Sequence, residues 1–167
     1  MDDVNANQGI SGRPGLGDPA ILLATWFGAG LLPVAPGTWG SLAALPLAWL
    51  IQLYFGWAGL LAGAAVVFAA GVWSAGVYIR TSGQDDPGPV VIDEVAGQWL
   101  VLVPVYPDPV LYGVGFLVFR FVDILKPWPV SWADREIKGG FGVMLDDVLA
   151  AAYGAVVVYA LSRIAEG

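Results

Sequence analysis

The chain has no cysteine and no histidine among its 167 residues. The missing cysteine excludes disulfides, thiolate nucleophiles and Cys-held metals. The missing histidine removes the usual general base at neutral pH, the phosphohistidine nucleophile and the commonest transition-metal ligand. Charge is also scarce: Asp, Glu, Lys and Arg together make up 13% of the chain. None of them falls between Pro19 and Ile79. Any chemistry here must come from carboxylates, hydroxyls, Lys and Arg.

What is abundant is apolar sequence, at 57% of residues. The uncharged stretch 19–79 far exceeds the roughly 18 residues that mark a transmembrane segment and has room for more than one crossing. The length suits a single domain. The formal net charge is −7, yet the basic residues gather beside apolar segments. The acidic total therefore says little about partners, and nothing resembles a nucleic-acid surface.

Residues 1–19 are polar and rich in Gly, Pro and Asn, which predicts a flexible tail rather than a signal peptide. Residues 20–35 are apolar but broken by Gly28, Gly30 and Pro33, as in a short interfacial or re-entrant segment. Pro36-Gly37 predicts a turn, with Thr38 or Ser41 capping a helix to about Tyr54 that is adjusted near Pro46. After a tight turn at Phe55-Gly56-Trp57, a second span to about Ile79 carries Gly59, Gly63, Gly71 and Gly76, small faces that suit close helix packing. Asp93-Glu94 opens an apolar segment to Tyr106; a helix from about Val110 to Leu125 follows. A polar loop is expected over 126–145 and a last helix from about Asp146 to Ile164. The fold class is thus an all-α polytopic membrane bundle of about four to five spans, with residues 20–167 as one membrane-embedded domain. The third segment is short: Val95 to Tyr106 reaches about 18 Å as a helix, too little to cross alone.

Five spans, with the first two paired as a hairpin, place Arg13, Arg80, Lys126, Arg135 and Lys138 on one side, with Arg120 just below it. Arg163 falls opposite. The positive-inside tendency makes the charged side cytoplasmic, and the aromatic turns on the other side suit an interfacial belt. The same topology brings four polar elements to one membrane face: the turn at 36–41, Asp93-Glu94, the Arg120–Lys126 segment and Asp146-Asp147.

Each element has two readings. Asp93 and Glu94 complement a helix dipole, or ligate a metal where they enter the apolar span. Arg120, Asp123 and Lys126, three apart, form a local ion-pair ladder, or a metal-holding carboxylate flanked by phosphate-holding cations. One of Asp146 and Asp147 caps the helix that follows, but a cap does not explain two. The Lys138-Gly139-Gly140-Phe141-Gly142 run turns the chain or cradles a phosphate. Asp134-Arg135 is a surface ion pair or part of a site. Asp85, Asp86, Asp108 and Glu166 read as solvated loop charges. Many carboxylates with several cations and no His or Cys suit hard Mg²⁺ and phosphate chemistry. A site at the membrane face implies an amphiphilic substrate.

The segments APGTWGS, IDEVAGQW, FRFVDILKPWPVSWADR and KGGFGVMLDD, in this order and spacing, resemble the bacterial phosphatidylglycerophosphatase A family over about residues 20–164. The resemblance implies an enzyme of the bacterial cytoplasmic membrane, with its site facing the cytoplasm. It implies a Mg²⁺-dependent hydrolysis of phosphatidylglycerophosphate to phosphatidylglycerol and phosphate. Asp93, Glu94, Asp123, Asp146 and Asp147 then serve as catalytic and metal-binding carboxylates. Thr38, Arg120, Lys126, Arg135 and Lys138 hold the substrate phosphate. One departure stands out. Members often carry His in the loop before the Asp-Glu pair, where this chain reads Gln84-Asp85-Asp86-Pro87-Gly88, so a His role there does not carry over. The rivals are a CDP-alcohol phosphotransferase, whose compact Asp-Gly…Ala-Arg pattern is missing, and a non-enzymatic membrane scaffold or lipid-binding protein.

Overall fold

The computed structural model describes residues 15–166; most of the polar tail expected at 1–19 lies outside the described residues. Among the described residues every regular element is helical. Helix α1 spans Pro19–Ala24, α2 Pro36–Ser82, α3 Ile92–Leu102, α4 Pro109–Leu125, α5 Val130–Glu136 and α6 Gly139–Glu166. A 3₁₀ turn occupies Ala29–Leu31. Two helices are long and apolar enough to cross a membrane by length and composition: α2, and α6 over Gly139–Ala165.

Helix α2 is two helices joined at Gly56, the one residue inside it with non-helical dihedrals (φ 64°, ψ −167°). The chain doubles back there. A Cβ added at Gly63 would lie 3.8 Å from Ile51 Cδ1, a contact impossible along one straight helix. Gly40 and Gly71 likewise both face the start of α3, at Val91 and Ile92. The turn expected at Phe55-Gly56-Trp57 is therefore present. Pro46 keeps helical dihedrals, so the only break in α2 is the one glycine permits.

Helix α3 is the hub. Nine of its 11 residues are buried, and it packs against α2, α4 and α6. At about 17 Å it is too short to cross a bilayer, as its sequence suggested. Its end is satisfied inside the protein. Gln52 Nε2 donates to Leu102 O and Val105 O at 2.9 Å each, and Tyr112 OH donates to Gln52 Oε1. Trp99 Nε1 donates to Ala44 O at 3.0 Å, tying α3 to the first limb of α2. In an apolar setting each such pairing removes a polar group that would otherwise stand uncompensated.

The N-terminal segment is short and folded back, as expected of 20–35. Asp18 caps α1 through Ala20 N–H, and Pro19 occupies the first turn. Val91 N–H donates to Ala24 O at 2.9 Å, so this segment braces the approach to α3.

The region after α4 differs from expectation. The stretch 126–145 is not one loop: it contains α5, and α6 begins at Gly139 instead of near Asp146. The glycines that read as a turn are the first residues of a helix in close backbone contact. A Cβ on Gly140 would stand 2.2 Å from Val72 O and 2.7 Å from Gly76 N on the second limb of α2. Gly140→Val should therefore lower stability by about 1–3 kcal/mol or more, because backbone cannot yield as a side chain does. Gly113→Ala, in α4 with nothing within 4 Å of the added carbon, should be neutral or stabilising by up to about 1 kcal/mol. Thermal unfolding of both variants in one detergent gives the comparison.

Candidate functional site

The four polar elements meet at one cavity of about 340 Å³. Asp93 and Glu94 enter it from the first turn of α3, Asp123 from the last turn of α4, and Asp146 and Asp147 from the third turn of α6. Lys126, Asp134, Arg135 and Lys138 come from the segment between α4 and α6. The two aspartates of α6 are thus interior to a helix and not its cap. Starting α6 at Gly139 sets them two turns deeper than the sequence implied.

Glu94, Asp123, Asp146 and Asp147 are buried, none more than 8% exposed, while Asp93 is half-buried. Carboxylates this enclosed need counter-charge. Arg120 supplies it to two helices: NH1 pairs with Glu94 Oε2 and, at 3.0 Å, with Asp123 Oδ2. Lys126 supplies it to two more groups and to Asp123 again: Nζ pairs with Asp146 Oδ2, lies 3.0 Å from Asp134 Oδ1 and 3.9 Å from Asp123 Oδ1. The Arg120–Asp123–Lys126 ladder is therefore present but not self-contained. The i,i+3 pairs exist, but each cation also reaches another helix.

Lys126 sits at the left-handed C-cap of α4 (φ 46°), a conformation that costs a non-glycine residue roughly 1–2 kcal/mol. The turn sends the chain into Pro127 while the ammonium stays among the carboxylates. Burial alone would lower its pKa; the bonds and charges of Asp146, Asp134 and Asp123 outweigh that and hold it above the ordinary lysine value.

Close approach makes the cluster possible. A Cβ at Gly37 would fall 2.0 Å from Glu94 Oε1, so a side chain there would displace that carboxylate from its place. Ser41 Oγ, one turn on, donates to Glu94 Oε2 at 3.1 Å or to Gly37 O at 3.0 Å. A Cβ at Gly97 would overlap the Phe119 ring and lie 3.1 Å from Asp147 O, so this glycine lets α3, α4 and α6 converge. Ser41 read from sequence as a possible cap; its contact with Glu94, 53 residues away, carries no local signal. Thr38 is half-buried and is not among the residues that line the cavity; the same turn contributes Gly37. Asp85 and Asp86, read as solvated charges, do line the cavity from an exposed loop.

The donor set suits a hard cation. One carboxylate oxygen each from Glu94, Asp123 and Asp147 lies within 4.8 Å of the others. Asp147 Oδ2 is buried with no hydrogen-bond partner, and a bound ion is one of the few arrangements that would satisfy it. Octahedral Mg²⁺ holds oxygens at about 2.1 Å, so its ligands stand at most about 4.2 Å apart. A small inward shift of these three would suffice. Their neighbours Asp93 and Asp146 each turn one oxygen to a backbone N–H, of Glu94 and Asp147 respectively, at 2.9 Å.

Lys126→Met would leave Asp123, Asp134 and Asp146 without their shared cation. At neutral pH the expected loss is about 1–3 kcal/mol, between the exposed and buried limits for ion pairs. Because the folded-state pKa of Lys126 is raised, its stabilisation is complete below the ordinary lysine pKa. It is lost only as pH rises through the folded value. Melting curves from pH 7 into strong alkali should show the wild type losing stability there and the variant losing less.

Residues 22–162 match the family Phosphatidylglycerophosphatase A. The chain is 36% identical over 145 residues to Phosphatidylglycerophosphatase A of Escherichia coli K12, covering 86% of this chain and 84% of that one. It is 40% identical over 146 residues to Phosphatidylglycerophosphatase A of Haemophilus influenzae, covering 86% and 89%. A relative from Bacteroides thetaiotaomicron, named "Putative phosphatidylinositol-3-phosphatase", is 40% identical over 147 residues, covering 83% and 90%. No solved structure matches. With a family match across most of its length and relatives of this identity, the chain belongs to the phosphatidylglycerophosphatase A family.

Proposed function

We propose that this chain is a Mg²⁺-dependent phosphatidylglycerophosphatase, hydrolysing the terminal phosphate of phosphatidylglycerophosphate to leave phosphatidylglycerol. The family assignment supplies the substrate. The observation that carries the chemistry is Asp147 Oδ2, buried and unpartnered beside Glu94 and Asp123. The two limbs of α2, together with α4 and α6, act as four crossings, and α3 is a half-span enclosed by them. The cavity opens to the cytoplasmic side of the bacterial inner membrane, the side on which Arg80, Lys126, Arg135 and Lys138 gather.

Glu94, Asp123 and Asp147 are the residues that would hold Mg²⁺. When bound, that ion polarises a phosphoryl oxygen and lowers the pKa of bound water. Arg120 pairs with Glu94 and Asp123 and orients both carboxylates. Lys126 offsets negative charge on the phosphoryl oxygens, and its bond to Asp146 fixes its place. Asp93 is the proton acceptor. It lines the cavity, has no ion pair among the described residues, and one of its oxygens is anchored by the Glu94 N–H. As water attacks phosphorus, its proton passes to Asp93. The bond from phosphorus to the glycerol oxygen breaks, that oxygen leaves as an alcohol by taking a proton from solvent water, and Asp93 returns its proton to solvent.

Purified protein in detergent should release phosphate from phosphatidylglycerophosphate in Mg²⁺, stop in EDTA and recover when Mg²⁺ is restored. Release indifferent to metal would sink the metal-dependent reading. Asp123→Asn and Asp147→Asn should each lower kcat by roughly 100-fold or more; turnover retained in both would take them out of the site. Phosphatidylinositol 3-phosphate, offered in parallel, should be the poorer substrate, and faster turnover of it would reassign the headgroup.

A further inference from the structure

The cations around the cavity fall into two groups. Arg120 is committed to two carboxylates and Lys126 to three. Arg135 and Lys138 also belong to this corner of the protein and line the cavity, but both are exposed, and neither forms an ion pair with a carboxylate among the described residues. Asp134 stands between the groups. Its carboxylate takes Lys126 at 3.0 Å, and its backbone oxygen accepts from Lys138 Nζ at 3.2 Å. One ammonium therefore faces the buried carboxylates, and the other sits on the far side of a single residue, at the rim. Arg135 is next to Asp134 in the last turn of α5. Elsewhere the rim carries Asp85 and Asp86, which repel an anion, so the side of α5 and α6 is the one that can accept it. The same corner exposes Trp128 and Trp132, side chains suited to the headgroup layer.

Building on the phosphatase reading above, we infer that Arg135 and Lys138 bind a second phosphate of the substrate. This is the phosphodiester that joins the headgroup to the diacylglycerol, held while the terminal phosphomonoester occupies the inner carboxylate site. The buried cations are held by carboxylates and cannot both also grip a second anion; the rim pair is uncommitted. A guanidinium and an ammonium together are a fitting receptor for a phosphodiester. The pair would make the enzyme selective for lipids whose headgroup bears two phosphates, over a lipid such as phosphatidic acid whose single phosphate sits directly on diacylglycerol.

The test compares kcat and KM on phosphatidylglycerophosphate and on phosphatidic acid of the same acyl chains, in mixed micelles with Mg²⁺. The proteins are wild type, Arg135→Gln, Lys138→Gln, the double variant and Arg135→Lys. Each single Gln variant should raise KM for phosphatidylglycerophosphate about tenfold with little change in kcat, as loss of a charged contact predicts. The double variant should reduce the preference for phosphatidylglycerophosphate over phosphatidic acid by about 100-fold. Arg135→Lys should keep more of that preference than Arg135→Gln. An unchanged preference in the double variant, or an equal fall in kcat on both lipids, would overturn the assignment. So would a wild type that turns over both lipids equally well, a result that leaves the phosphatase reading standing. A wild type that releases phosphate from neither lipid would instead bring down the phosphatase reading, and this inference with it.

Discussion

Arg120 and Lys126, six residues apart, hold carboxylates from four helices: Glu94 of α3, Asp123 of α4, Asp134 of α5 and Asp146 of α6. In an apolar bundle these charges could not stay ionised alone. The network therefore does two things at once. It sets two cations against the clustered carboxylate oxygens, and it pins four helices to one another. Asp147 stands just outside it, with one oxygen buried and unpaired. Asp93 and Asp147 have no ion pair among the described residues, so the two cations leave an excess of negative charge that a metal cation would offset.

Such a network demands short distances between backbones. Gly97 against Phe119 and Asp147 and Gly140 against Val72 and Gly76 each mark a place where a side chain would push a helix away, and a side chain at Gly37 would displace the Glu94 carboxylate. Helix packing and site geometry are thus one problem. The buried α3 shows the same economy. It need not span a membrane because it is enclosed by longer helices, and its carbonyls find partners in Gln52. Its freedom from length allows Asp93 and Glu94 to sit at its start, level with the ends of α4 and the third turn of α6.

Much of this could be read in the sequence. A 61-residue stretch without charge (19–79) announces membrane segments, and Gly56 between aromatic residues marks the turn that the fold uses. The lack of His and Cys, with Asp93, Glu94, Asp123, Asp146 and Asp147 at apolar borders, directs attention to carboxylate chemistry. Local patterns failed at α6. Gly139, Gly140 and Gly142 look like a loop because glycine is a poor helix former. They open a helix here because close packing leaves no room for side chains at two of them: Gly140 meets the backbone of α2 at Val72 and Gly76, and Gly142 meets the carbonyl of Ile137. One of Asp146 and Asp147 read as a cap because the helix was expected to begin there, and Asp85 and Asp86 looked merely solvated because nothing nearby in sequence reveals a cavity.

The sequence by itself determined the helical class, the available chemistry and the family, since these depend on composition, local periodicity and long motifs. It also singled out Asp93, Glu94, Asp123, Asp146 and Asp147, which the fold brings to one cavity, because charge is costly beside apolar spans. Tertiary structure alone decided how those groups divide their work. Whether Arg120 serves Asp123 or Glu94, whether Lys126 reaches Asp146, and whether Asp147 keeps an unpaired oxygen all depend on contacts between residues tens of positions apart. Those contacts arise only when glycine-lined helices close on one another, and no local pattern encodes that distance.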